Sequence, residues 1–313
     1  MHLPLPLLSR ASLLAALLGW AQSVATQAQP PRAASDSTTG AAIHASEIVI
    51  RMPKEEFSNS GHTNYIRTLL QLALIRSKSA HETITLAPIE EDLTQARLIA
   101  ELQRGHILDI IWTMTSRERE ATMLPVRIPL LKGLLGQRVF LIRADRQADF
   151  EKVSTLSELT EFTAGQGAHW PDTEILRANG LPVLTSTRYE LLFSMLRGGR
   201  FDYFPRGVNE AWAELDAHPN EGLTVESTLL LSYPAPMYFF VRKGNEALAK
   251  RLEQGLELMI ADGSLDALIE SHPSLMQFVK KADVKSRKVF KLNNPDLPAE
   301  TPLHQPKYWA IEH

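Results

Sequence analysis

The sequence predicts an α/β protein made of two successive strand–helix units. Three observations carry this. Segments of alternating or wholly apolar residues recur between segments of helical spacing. The links between them are short. The alternation breaks off and restarts once, near Arg138.

In the first unit, Glu47 to Met52 alternates polar and apolar residues before Pro53, which predicts a strand. Asn64 to Ser77 places Ile66, Leu69, Leu70, Ala73 and Leu74 on one helical face. Thr83 to Ile89 alternates again. Thr94 to Arg104 is helical, and Gly105 ends it as a C-cap. Asp109 to Trp112 reads as a buried strand. Strands separated by helices predict a parallel or mostly parallel sheet.

The second unit opens with the strand Arg138 to Arg143. Leu156 to Phe162 is a short helix with Thr155 or Ser157 as cap. Thr163 to Gly167 is a strand ending in glycine. Trp170 to Ala178 is a helix with Pro171 near its start and Asn179-Gly180 at its end. Pro182 to Leu184 (strand), Arg188 to Leu196 (helix), Phe201 to Phe204 (strand) and a helix from Glu210 to Leu215 follow. Thr228 to Val241 is apolar and broken by Pro234 and Pro236. Ala247 to Ile269 is amphipathic and helical, interrupted at Asp262-Gly263-Ser264. A tail containing Pro295, Pro298, Pro302 and Pro306, then Tyr308-Trp309, reads as irregular and docked by its aromatics.

The chain begins with an export pattern. Arg10 precedes the apolar run Ala11 to Trp20, and small residues follow at Ser23, Ala25, Thr26 and Ala28. The run is short of the about 20 residues a membrane span needs. It predicts a cleavable signal peptide over 1–28, followed by a flexible leader over 29–46 rich in Ala, Ser, Thr, Pro and Gly. With no cysteine, disulfides, thiol catalysis, iron–sulfur clusters and a lipid-bearing cysteine are excluded. A net charge of −3 without a basic stripe argues against a nucleic-acid partner. No cofactor, metal-ligand, nucleophile-elbow or phosphate-loop motif is present in the chain.

The segment Gly105-His106-Ile107-Leu108-Asp109-Ile110-Ile111-Trp112-Thr113-Met114-Thr115-Ser116-Arg117-Glu118-Arg119 resembles family 3 of the periplasmic solute-binding proteins, the polar-amino-acid receptors. Gly199-Arg200-Phe201-Asp202 and the helices around Asp262-Gly263 continue the resemblance, which spans roughly residues 47–280. It implies a type II periplasmic-binding fold of two α/β lobes joined by two crossover strands. Lobe one would take 47–138 and 231–290, lobe two 139–230, and the tail 291–313. It further implies a small-molecule ligand in the cleft, a membrane ABC permease as partner, a monomer, a periplasmic location and no catalysis. Two alternatives on the same fold stay open: a periplasmic enzyme similar to cyclohexadienyl dehydratase, and a sensor for a membrane receptor.

The resemblance makes Arg119 the ligand-carboxylate clamp, since a guanidinium offers two parallel hydrogen bonds; Arg117 is the competing register. Thr113 and Thr115 supply hydroxyls from the same turn. Trp112 is either a cleft wall or core. Gln166, His169 and Trp170 precede a second-lobe helix, where backbone N–H groups are free, while Asp172 or Thr173 favours the first turn. Tyr65, Tyr233 and Tyr238 offer ring contacts or belong to the hinge and core. Where the family has an aspartate for an amino group, this chain reads Phe204-Pro205-Arg206-Gly207-Val208-Asn209-Glu210. Arg206 there either favours an anionic ligand or pairs structurally with Glu210.

Overall fold

The computed structural model describes residues 46–54, 63–272, 275 and 280–310. The expected signal peptide and leader lie outside these residues, apart from Ser46, where the first strand begins.

The first lobe opens with β1 (Ser46–Met52), α1 (Thr63–Ser77), β2 (Glu82–Pro88), α2 (Gln95–Arg104), β3 (Ile110–Met114), α3 (Arg117–Thr122) and β4 (Met123–Val126). Gly105 closes α2 in the left-handed conformation, φ 70°, as a residue without Cβ can. The second lobe holds β5 (Gln137–Arg143), α4 (Gln147–Phe150), α5 (Leu156–Leu159), β6 (Ala164–Gly167), α6 (Pro171–Ala178), β7 (Val183–Ser186), α7 (Tyr189–Arg197), β8 (Tyr203–Gly207), α8 (Ala211–Ala217), β9 (Leu223–Val225) and β10 (Leu229–Ser232). Thr155, not Ser157, caps α5, in a capping box with Glu158. The chain then returns through β11 (Met237–Arg242), α9 (Glu246–Ala261) and α10 (Ser264–Ser271), and ends beyond β12 (Lys288–Lys291).

Among the described residues the strands form three sheets. β1 and β2 pair in parallel, β11 lies between β3 and β4, and the second lobe runs β12-β10-β5-β8-β6-β7 with β9 also on β5. The expected parallel sheet is therefore only partly present. β11 enters from the other lobe and runs antiparallel to β3 and β4. β5 enters the same way and runs antiparallel to β8, β9 and β10. A strand that arrives by crossover has its direction set by the hinge rather than by a right-handed helix connection. β12 pairs with β10, so Lys288 to Phe290 lie in the second lobe's sheet and not in the return to lobe one.

Between β4 and β5, and between β10 and β11, the chain crosses from one lobe to the other. The crossings run side by side: Tyr233 N–H donates to the Gly136 carbonyl (3.1 Å), and Gln137 Nε2 to Ser232 Oγ (2.9 Å). A Cβ on Gly136 would overlap the Tyr233 carbonyl oxygen, so only glycine permits this approach. In lobe one, α1 packs on α9, with Leu69, Leu70 and Ala73 facing a core that includes Leu252, Leu256 and Met259.

The tail after β12 ties these parts together. Asn293 exchanges hydrogen bonds with Asn179 at the end of α6. Asn294 Nδ2 donates to the Pro234 carbonyl in the second crossing (2.8 Å). Arg117 of α3 pairs with Asp296 (3.2 Å). Lys307 and Tyr308 hold Glu257 of α9, and Ala310 N–H donates to Lys132 in the first crossing. Tyr308 is buried, as the aromatic ending predicts.

Candidate functional site

β3 is buried along its whole length and delivers Thr113 and Met114 to the edge of the cleft. Ser116 then caps α3 by accepting from the Arg119 N–H (3.2 Å). This single turn folds Arg119 back over the end of β3. One guanidinium nitrogen, Nη1, donates to Thr113 Oγ1 (2.6 Å) and the Met114 carbonyl (2.7 Å). The other, Nη2, reaches Gln95 Oε1 (2.5 Å) at the start of α2 and, across the cleft, the His169 carbonyl (3.2 Å). Arg119 is buried and links the two lobes.

A second charged cluster lines the same space in the cleft. Arg138, from β5, is only 2 % exposed and pairs with Asp172 (2.7 Å) and Glu210 (3.2 Å). Tyr233 donates its hydroxyl to the same Asp172 oxygen (2.5 Å). Arg206, from β8, takes both oxygens of Glu214 (2.7 and 2.5 Å) and one of Glu210 (3.2 Å). Glu210 bridges the two arginines and also accepts from the Gly207 N–H (2.8 Å). Burial alone would lower the Arg138 and Arg206 pKa values. The facing carboxylates outweigh it, so both lie above the ordinary arginine value. Burial, followed by the carboxylate of Glu214, pushes the Tyr189 phenol well up; burial does the same at Tyr233 beside Asp172. Both phenols remain neutral hydrogen-bonding groups.

This space is about 70 Å³, lined by Arg119, Arg138, Arg206, Asp172, Glu210 and Glu214 among others. A larger groove of about 540 Å³ continues outward between Lys54 and the start of α2 on one side and Gly167–Trp170 and Ser186–Glu190 on the other. Trp170 and Tyr189 wall both.

Of the residues expected to form a site, Arg119, Thr113, Trp170, Arg206 and Glu210 meet at the inner space. His169 joins through its backbone carbonyl, while its side chain is exposed at the groove. The other three point elsewhere. Thr115 donates to Glu120 (2.6 Å), which holds Arg127, so it belongs to a network on lobe one. Trp112 packs in the core opposite Phe239. Gln166 is fully buried and donates to the Pro205 carbonyl between β6 and β8. Arg206 pairs with Glu210, but Glu214 is its main partner, and its charge is met from within the chain. Arg117 is exposed and paired with the tail, which leaves the cleft to Arg119.

Arg138, Asp172, Glu214, Tyr189, Tyr233 and Gln95 were not expected in this role. One signal existed for Glu214: it follows Glu210 by four residues, the spacing that puts two side chains on one helical face. Arg138 begins an apolar strand, and nothing local shows which way it points.

Two α/β lobes, two adjacent crossings and a charged cleft define the type II periplasmic-binding fold. Solved structures share this architecture. A mutant of ArgBP from T. maritima superposes at TM-score 0.52 with 21 % identity, over 72 % of this chain and 94 % of that one. An ancestral amino-acid-binding protein described as a precursor of cyclohexadienyl dehydratase gives 0.51 with 18 % identity, over 72 % and 96 %. The VFT2 domain of Bordetella pertussis BvgS gives 0.51 with 18 % identity, over 72 % and 93 %. No protein-family model and no curated protein sequence matches the chain.

Proposed function

We propose that the chain is an exported, periplasmic solute-binding protein that holds a small polar, carboxylate-bearing ligand in the cleft. The observation that carries this is Arg119. Its Nη1 is locked by two acceptors of lobe one, while its Nη2 faces outward to Gln95 and to a lobe-two carbonyl. A ligand carboxylate at that edge would take the place of the weaker, cross-cleft acceptor and receive a charge-assisted bond. The groove beside it has a volume within the range of about 300–1,000 Å³ usual for ligand sites. Hinge motion about the two crossings would admit and enclose the ligand.

Delivery to an ABC permease, by a monomer, is the first role on this reading. A sensor role for a membrane receptor is the second, supported by a histidine kinase sensor domain that shares the fold. An enzyme role is less well supported. Asp172, Glu210 and Glu214 are each engaged by an arginine, which suits an acceptor better than a general acid. Among the described residues no helix is long and apolar enough to cross a membrane.

The test is a thermal-shift screen of amino acids and organic acids on the wild-type chain, followed by calorimetry on Arg119→Ala. A carboxylate-bearing hit whose affinity falls at least a hundredfold in the variant supports the reading. An unchanged affinity removes Arg119 from the site.

A further inference from the structure

Arg206 sits in a cage suited to any guanidinium. Its central carbon lies 4.8 Å from the Trp170 ring centroid, 5.0 Å from Phe204 and 5.8 Å from Tyr189. Trp170 and Phe204 are nearly parallel, 15° apart. Glu214 meets the fork with both oxygens, and Glu210 adds a third contact. Aromatic faces and paired carboxylates attract cations by the same electrostatics, whether the cation is a side chain or a ligand.

The cage also communicates with the cleft. Two of its walls, Trp170 and Tyr189, line the 540 Å³ groove. With Arg206 in place, the remaining inner space is about 70 Å³, far below the roughly 300 Å³ at the small end of ligand pockets. A second cation would meet a like charge and carboxylates already engaged.

We infer that Arg206 is a specificity-determining residue: a tethered guanidinium that fills the cation subsite of the cleft and so excludes ligands with basic side chains. This rests on the cleft being the ligand site. The ligand class narrows to polar carboxylates whose remaining groups are neutral or acidic. Truncating Arg206 should open the subsite to a free guanidinium.

The experiment titrates wild-type chain, Arg206→Ala and Arg206→Ala/Glu214→Gln with methylguanidinium and with L-arginine. Binding is read by calorimetry and thermal shift at matched ionic strength. Wild type should bind neither probe. Arg206→Ala should bind methylguanidinium at least tenfold more tightly than the detection limit that wild type fails to reach, and be stabilised by it. The double variant, lacking the carboxylate that grips the fork, should lose at least tenfold of that gain. If Arg206→Ala does not fold alone, millimolar methylguanidinium should restore folding, and failure to restore it overturns the inference. So does L-arginine binding to wild type, or a folded Arg206→Ala with no gain. None of these readouts needs the natural ligand. An empty screen would therefore sink the proposed function and the specificity role with it while leaving cation binding by the cage standing, whereas a cage that binds no cation leaves the proposed function standing.

Discussion

Arg138 keeps its charge where almost no solvent reaches because Asp172, Glu210 and the Tyr233 ring surround it. Removing one partner of such a group leaves the others buried and unpaired, which costs about 3–5 kcal/mol. Arg138→Leu should therefore lower unfolding stability by about that amount, measured as a fall in the denaturant midpoint. Tyr233→Phe removes one hydrogen bond to the buried Asp172 and should cost about 1–3 kcal/mol. A loss well under half of either figure would mean that water re-solvates the cluster. Arg119 differs in kind. Its backbone and Nη1 are fixed by lobe one, so its truncation should show chiefly in ligand affinity.

At the scale of elements, the two crossings and the β2–α9 contact decide most. Gly136 has no space for a side chain beside Tyr233. Gly136→Ala should force the crossings apart, lower the melting temperature and weaken ligand binding together; a variant with wild-type melting would show that the hinge relaxes freely. Glu82, on β2, receives both arms of Arg251 from α9 (2.7 and 2.8 Å). The Arg251 hydrogen bonds, then that of the Ser79 N–H, pull its pKa down to about 2. A depressed carboxylate stabilises the fold above its unfolded pKa, near 4.3, and that contribution is lost as the pH falls through the folded value. The stability difference between wild type and Glu82→Gln should therefore be constant near neutrality and vanish between about pH 4.3 and 2. Acid titrations of the two proteins that stay parallel throughout would contradict this.

Across the whole molecule, the tail joins both lobes and the crossings. Within 18 residues it bonds lobe two at Asn179, the crossings at Pro234 and Lys132, and lobe one at Arg117 and Glu257. A segment attached on both sides of a hinge limits how far the lobes separate. Ending the chain at Leu292 should lower the melting temperature and increase the radius of gyration seen by small-angle scattering. A truncated chain with unchanged dimensions would show that the tail only covers surface.

Most of the element order could be read in the sequence, because helical and alternating periodicities are local properties. The cap and stop residues Thr155, Pro171 and Gly105 act within a few positions and fell where expected. Arg119 was singled out by resemblance; in the fold, Ser116, three residues away, caps the turn that directs it. Other features depend on residues far apart in the chain. β11 reverses direction against β3 because it arrives through the second crossing, and β12 joins β10 although it follows α10 of the other lobe. Asp172 reads locally as a first-turn acid, yet it serves Arg138 from 34 positions earlier and Tyr233 from 61 later. Arg206 reads locally either as a cation offered to a ligand or as a partner of Glu210, and the pair with Glu210 forms. Only the folded arrangement adds Glu214 and the Trp170 and Tyr189 rings around it. Periodicity thus determined which segments are strands and helices, while the meaning of each buried charge was decided by the partner that tertiary packing placed within hydrogen-bond reach.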